Sequence, residues 1–220
     1  MSRKKLVRFK ENEENPNVIQ DGKEIFETIK GNWNETQFQN ENPIVVELAC
    51  GRGEFTVGLG RVFRDQNFIG VDIKGSRIWK GSSTATAEGI HNVAFLRTQI
   101  EQLDKFFATG EISELWITFP DPFPRDGDEK RRLTSPRFLE MYKPLLKTGG
   151  TVHFKTDNTG LFDYSLELFQ SREDINLIGF THDFYQSEWK DDHFGIQTRY
   201  EKMFSEKGEK IKYLKLQFKN

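Results

Sequence analysis

Apolar and polar positions divide the chain into short β-branched runs separated by helix-length segments. Ile44 to Leu48 is apolar except for Glu47, as expected of a strand covered on both faces of a parallel sheet. Phe55, Leu59, Val62 and Phe63 recur at near-helical spacing over residues 54–64, and Asn67 to Asp72 reads as a second strand ending in a carboxylate. The pattern then predicts a helix over 74–88, a strand at Val93–Leu96, a helix over 99–107 and a strand at Leu115–Phe119. A helix over 135–146 follows, with Ser135 as N-cap and Pro136 at its first position. A strand at Thr151–Thr156, a helix over 158–170, a strand near 175–185 and a short helix from Thr198 complete the series. In the last segment Leu214, Leu216 and Phe218 alternate with Lys215, Gln217 and Lys219, which predicts a strand with one wet face. Strands alternating with helices imply an α/β fold with a Rossmann-like, doubly wound sheet, mostly parallel with an antiparallel last strand.

Residues 1–42 lack this pattern and read as a polar, partly flexible N-terminal arm, set apart from one domain over 43–220. Arg3, Lys4, Lys5, Arg8 and Lys10 give the arm a basic start, which fits either a solvated segment or contact with phosphates. A short helix is expected over 21–31, ending near Gly31 and Trp33. Net charge is −2 with 30% charged residues, so composition alone does not indicate a nucleic-acid binder. Cys50 is the one cysteine and excludes an internal disulfide; the four histidines stand at no ligand spacing, so no metal site is expected. No apolar run approaches the roughly 20 residues of a membrane span. With no apolar signal core at the N-terminus either, the expectation is a cytoplasmic protein without a membrane partner.

Gly51 and Gly53 follow the first strand at once and allow a sharp turn with close approach of backbone to a ligand. Strand, glycine loop, helix, strand and acid together make a nucleoside-binding βαβ unit. A dinucleotide fingerprint needs a third glycine where Thr56 stands, and Glu47 and Glu54 bracket the loop. Carboxylates on both sides would repel a pyrophosphate. A cationic nucleoside without phosphate fits better, and S-adenosylmethionine carries a sulfonium, an ammonium and a ribose diol. Asp72, at the tip of the second strand, is placed to accept from both ribose hydroxyls, although taken alone a strand-end cap explains it equally well.

Ligands of such sheets sit at the carboxyl ends of the strands. Glu47, Asp72, Gln99, Asp121 and Asp157 all fall at such ends. Pro120, Pro122 and Pro124 stiffen the loop around Asp121, and Arg125 with Lys130, Arg131 and Arg132 gives that loop a basic flank suited to phosphates.

These residues resemble the tRNA (guanine-N7-)-methyltransferases of the bacterial, single-chain type. The resemblance covers about residues 43–218 and rests on Phe119-Pro-Asp-Pro-Phe-Pro124 with Lys130-Arg-Arg-Leu133, then Thr156-Asp157, then Thr198-Arg-Tyr-Glu201. It implies the class I S-adenosylmethionine-dependent methyltransferase fold and methylation of N7 of guanosine 46 in the tRNA variable loop, by a monomer or homodimer without a metal. Glu47, Gly51, Gly53, Asp72, Gln99 and Asp121 would then hold the methyl donor, with Asp121 also catalytic. Arg125, Asp157, Thr198, Arg199, Tyr200 and Glu201 would contact the guanosine or its flanking backbone. The chain departs from the family pattern at Ala49 (commonly glycine), Gln99 (an acid), Phe123 (tryptophan), Arg125 (lysine) and Asp128 (histidine). The residues also admit a small-molecule methyltransferase, an NAD-dependent oxidoreductase and a non-catalytic RNA-binding subunit. The basic flank speaks against the first, Thr56 and Glu47 against the second, and the intact donor-site acids against the third.

Overall fold

The structure, a computed structural model, describes residues 3–219, with side chains from Lys5 onward, so the side chains of Arg3 and Lys4 lie outside the description. Eight strands form one sheet. They are β1 (Val18–Gln20), β2 (Ile44–Leu48), β3 (Asn67–Val71), β4 (Val93–Arg97), β5 (Ile112–Thr118), β6 (Leu146–Thr156), β7 (Ile175–Thr181) and β8 (Lys212–Phe218). The spatial order is β1-β4-β3-β2-β5-β6-β8-β7, parallel from β1 to β6, with β8 antiparallel to both of its neighbours. The predicted sheet and its antiparallel last strand are therefore present.

The helices are α1 (Arg3–Glu14), α2 (Glu24–Thr28), α3 (Glu54–Val62), α4 (Gly75–Ala87), α5 (Pro136–Leu145), α6 (Thr159–Ser171) and α7 (Arg199–Glu206). Alternating side chains of the strands feed two apolar layers. On one face Val46, Leu48, Ile117 and Phe154 pack with Phe138, Leu139, Leu161 and Phe162 of α5 and α6. On the other, Val45, Phe68, Phe95, Trp116 and Tyr213 pack with Phe55, Val57 and Leu59 of α3 and Ile78 of α4. Among the described residues, no helix is long and apolar enough to cross a membrane.

Several expectations change in detail. The division at residue 42 does not fall at a break in the sheet, because Val18, Ile19 and Gln20 pair with Phe95, Leu96 and Arg97 as an edge strand. Three residues among asparagines are too short a run to show a period. Those asparagines are clasps: Asn12 Nδ2 donates to the Gly75 carbonyl at 2.8 Å and Asn15 Nδ2 to Ser82 Oγ at 2.7 Å, seating α1 along α4. The expected helix over 99–107 is a 3-10 helix of Ile100–Lys105, and β7 stops at Thr181 before a 3-10 turn at Phe184–Gln186. Ser135 precedes α5 as expected, but its hydroxyl makes no capping bond. On β8, Leu214 and Leu216 are buried while Lys215 and Gln217 on the expected wet face are half-buried. Lys215 Nζ lies 3.4 Å from Asp192 Oδ2 in the segment that crosses over this face and shields part of it.

Phe95 is a wedge that sets the glycine loop. A Cβ at Gly53, Gly70 or Gly81 would stand 2.4, 2.9 or 2.5 Å from its ring. At Gly81 the added atom would also meet the Arg52 carbonyl oxygen at 2.7 Å, and backbone cannot step aside as a side chain can. Gly81→Ala is expected to lower stability by about 1–3 kcal/mol, the usual cost of overpacking. The urea midpoint checks this, and a change below about 0.5 kcal/mol, the range of ordinary surface substitutions, would refute the wedge.

Candidate active site

The sheet changes winding direction between β2 and β5, and a crevice at their carboxyl ends is where such folds bind ligands. Glu47 sits at this point, nearly solvent-free between the two strands. Its Oε1 accepts from Thr118 Oγ1 of β5 at 2.6 Å. Its Oε2 accepts from the Thr56 amide at 3.0 Å and from the Thr56 hydroxyl, at the first turn of α3. Thr56, which breaks the three-glycine fingerprint, is thus the partner of the glutamate. Burial pushes the Glu47 carboxyl up to about 7, against the three hydrogen bonds, which favour its charged form.

The loop from Ala49 to Gly53 leaves β2 with Ala49, Gly51 and Gly53 at φ of 55°, 57° and 67°. Two are glycines, for which this costs nothing; Ala49, where the resembling family has glycine, is held there under strain. Asp72 Oδ2 accepts from the Gly51 amide at 3.0 Å and Oδ1 from the Lys74 amide at 2.7 Å, so the acid fixes the loop's height over the end of β3. Each oxygen keeps a further lone pair for a ligand hydroxyl. The cradle fits a nucleoside: bare glycine backbone on one side, a buried acid at the strand tip on the other, and Gln99 exposed at the end of β4.

On the far side of the crevice, Asp121 is exposed in the proline-rich loop after β5. That loop leaves the strand through Phe119 at φ 49° and turns again at Phe123 at φ 42°, two strained positions flanking the acid. The basic run splits in two. Arg132 is buried, its Nε donating to the Phe123 carbonyl at 3.1 Å and its guanidinium 4.3 Å from the Tyr164 ring, so it braces the loop instead of facing solvent. Arg131 is exposed, stacked on Phe123 at 4.2 Å and 3.1 Å from Asp128, and Lys130 and Arg125 are exposed. Asp157 is half-buried after β6, and burial raises its carboxyl above the usual range.

The Thr198–Glu201 motif starts α7. Thr198 Oγ1 accepts from the Glu201 amide at 3.1 Å as an N-cap, and Glu54 of the glycine loop's helix accepts from the Arg199 amide at 2.7 Å. This bond joins the last motif to the helix that follows the glycine loop. Arg199 and Tyr200 are exposed; Glu201 points inward with no exposure and lies 2.6 Å from Lys155 Nζ. The edge therefore collects Glu47, Gly51, Gly53, Asp72, Gln99, Asp121, Arg125, Asp157 and the start of α7, with Glu201 beneath it. Sequence reading missed Lys155 and Thr118. The signal for the first was a lysine at a strand position in register with an inward-facing His153.

The family model described as "Putative methyltransferase" matches residues 41–214. The chain is 49% identical over 219 residues to a protein of Cytophaga hutchinsonii named tRNA (guanine-N(7)-)-methyltransferase, covering 99% of each. A protein of the same name from Bacteroides fragilis is 43% identical over 219 residues, 98% of this chain and 86% of the relative. Among solved structures, the fold is similar to that of the 16S rRNA methyltransferase KamB (TM-score 0.65, 15% identity, 91% of this chain and 96% of that one). It is also similar to that of an rRNA methylase from Streptococcus thermophilus (TM-score 0.56, 15% identity, 81% and 88%). At such identity the structural likeness speaks for the fold alone, that of the class I methyltransferases, whereas the near-full-length sequence identity reaches further: the chain belongs to the tRNA (guanine-N7-)-methyltransferase family.

Proposed function

We propose that the protein transfers the methyl group of S-adenosylmethionine to N7 of a guanosine in tRNA, guanosine 46 of the variable loop on the family resemblance. The observation that carries this reading is the bond from the Arg199 amide to Glu54, which ties the last motif to the glycine loop on the edge that also bears Asp121 and Asp157. Gly51 and Gly53 would admit the donor's backbone contact, Asp72 its ribose hydroxyls and Gln99 its adenine, with Glu47 and Asp121 closing the crevice. When bound, the donor supplies an electrophilic methyl on a sulfonium centre. Guanine N7 has a free lone pair and no proton to remove, so neither a strong base nor a metal is called for. What remains for the chain is alignment, a contribution of up to about 7–11 kcal/mol, and stabilisation of the positive charge the purine gains.

Asp121 takes both tasks in this reading, anchoring the donor and facing the guanine. Asp157 accepts from N1–H and the exocyclic amine, and Arg125, Thr198, Arg199 and Tyr200 meet the base or its backbone, with Glu201 ordering the last three from below. The deep, narrow major groove of A-form RNA hides N7, which requires a loop target gripped through its phosphates. With a net charge of −2 the positive potential has to be local. Arg125, Lys130 and Arg131 supply it beyond β5. Lys5 and Arg8 of α1, the latter 4.6 Å from the Trp79 ring, supply it with Arg97 beyond β4. These two strand ends are three spacings apart, about 14 Å.

Incubation with labelled donor and unmodified tRNA is expected to give 7-methylguanosine mapping to position 46; label in another nucleoside would overturn the reading. Asp121→Asn should lower kcat by about 100-fold, as loss of a transition-state contact does, and turnover within a factor of a few would remove Asp121 from the chemistry. Lys5→Ala and Arg8→Ala should each reduce the slope of log affinity for tRNA against log salt by about 1, and unchanged slopes would take α1 off the RNA.

Glu47 carries a pH signature. Its folded carboxyl keeps a proton from 4.5 up to about 7, so in that window the folded state binds more protons than the unfolded one and stability falls as pH rises. The rise corresponds to a loss on the order of 3 kcal/mol by pH 8. Glu47→Gln, which can keep the bonds to Thr56 and Thr118, should flatten the stability profile between pH 5 and about 7 in denaturant titrations. An unaltered slope in the variant would place the titrating group elsewhere.

A further inference from the structure

Lys155 stands where the three motifs of the candidate site meet. Its side chain is 1% exposed and runs beneath α7, with Nζ 2.6 Å from Glu201 Oε1, 4.8 Å from the Phe184 ring and 5.9 Å from that of Phe55. Its carbonyl accepts from the Phe119 amide at 2.8 Å, the residue that opens the Asp121 loop. Thr156 and Asp157 follow it directly in the chain. Glu201 Oε1 also accepts from Tyr185 OH at 2.6 Å, and Gln197 Nε2 donates to the same hydroxyl at 2.7 Å. Glu201 is the one fully buried residue of the eight in α7. The helix's apolar hold on the fold is the partly buried Phe204, which packs against the layer of Phe55, Trp116 and Tyr213. The buried charge pair below and the Arg199–Glu54 bond at its start add directional contacts to that packing.

We propose that Lys155 is a positioning residue for the base-accepting side of the site: its ammonium fixes α7 through Glu201, and its carbonyl fixes the entry of the Asp121 loop. The proposal rests on the functional reading above. An apolar contact at this place would hold α7 loosely, because apolar contacts are non-directional, whereas an ion pair with a 2.6 Å hydrogen bond sets the height and rotation of the helix. Thr198, Arg199 and Tyr200 inherit that placement. The glycine loop is held by Asp72 and Phe95, and the carbonyl of residue 155 is kept whatever side chain stands there, so changing that side chain leaves donor binding in place.

The test uses Lys155→Met, Glu201→Gln and their double variant in the full chain, with Glu201→Gln covering the case in which Lys155→Met does not fold. Three quantities are read: donor affinity by direct titration, kcat and KM for tRNA, and amide hydrogen exchange over residues 199–206. Each single variant should keep donor affinity within about twofold, as for sites that do not couple. Each should lose about 100-fold in kcat/KM for tRNA, the scale of a 1 Å misplacement. Exchange in α7 should accelerate while that of residues 44–60 stays as in the parent. The double variant should be no worse than the poorer single, since both break one contact. Unchanged α7 exchange, additive losses in the double variant, or donor affinity falling in step with turnover would each overturn the proposal. If the parent protein itself transfers no methyl to tRNA, the functional reading fails, and the exchange data still decide whether Lys155 anchors α7.

Discussion

A carboxylate buried between two strands that lead away from each other holds this site together. Glu47 joins β5 through Thr118 and the first turn of α3 through Thr56, so one side chain spans the point where the sheet reverses its winding. The crevice exists because the chain leaves β2 and β5 in opposite directions; Glu47 keeps its two walls in register. Its neighbours extend the same logic outward. Burial lowers the Lys155 ammonium below its usual range, against the pull of Glu201, with which it pairs under α7, and of the nearby Glu47. A line of polar groups thus runs through an otherwise apolar layer, from the glycine loop to the last motif. Such groups are costly to bury unless partnered, and each is partnered across a different element.

Strain sits beside this line. Ala49, Phe119 and Phe123 all hold positive φ, and all three lie in the two loops that wall the crevice. Non-glycine residues keep such angles only where surrounding contacts over-determine them. The Asp72–Gly51 bond does this for the first loop, and the Lys155 carbonyl with the Arg132 side chain does it for the second. Arg132 shows why a run of cations cannot be read as one surface: of three adjacent basic residues, one is a brace.

The sheet was legible because its strands are regular: Ile44 to Leu48 and Val93 to Leu96 are buried throughout, and a continuous apolar run is how such a strand looks in sequence. The site acids were legible for a related reason, since strand ends are visible wherever strands are. What escaped the sequence depends on contacts between distant segments. β1 is too short to show a period, and the helix before it is seated by Asn12 and Asn15, residues whose polarity argues for solvent until their partners on α4 are known. The inward turn of Glu201 and the burial of Lys155 escaped for the same reason. A charge beneath a helix looks like a charge on its surface until the opposite charge is found across 155 and 201.

The placement of β8 has a consequence for how the chain comes into being. Among the described residues it follows the seven other strands in sequence, yet it lies between β6 and β7, and β7 pairs with no other described strand. Until β8 arrives, β6 presents an open hydrogen-bonding edge and β7 has nothing to pair with, the condition in which nascent chains associate wrongly. The segment before α7 folds back over this same strand through Asp192, so that side of the crevice is completed only after β8 has joined the sheet. It closes only when β8 slides into the gap between β6 and β7.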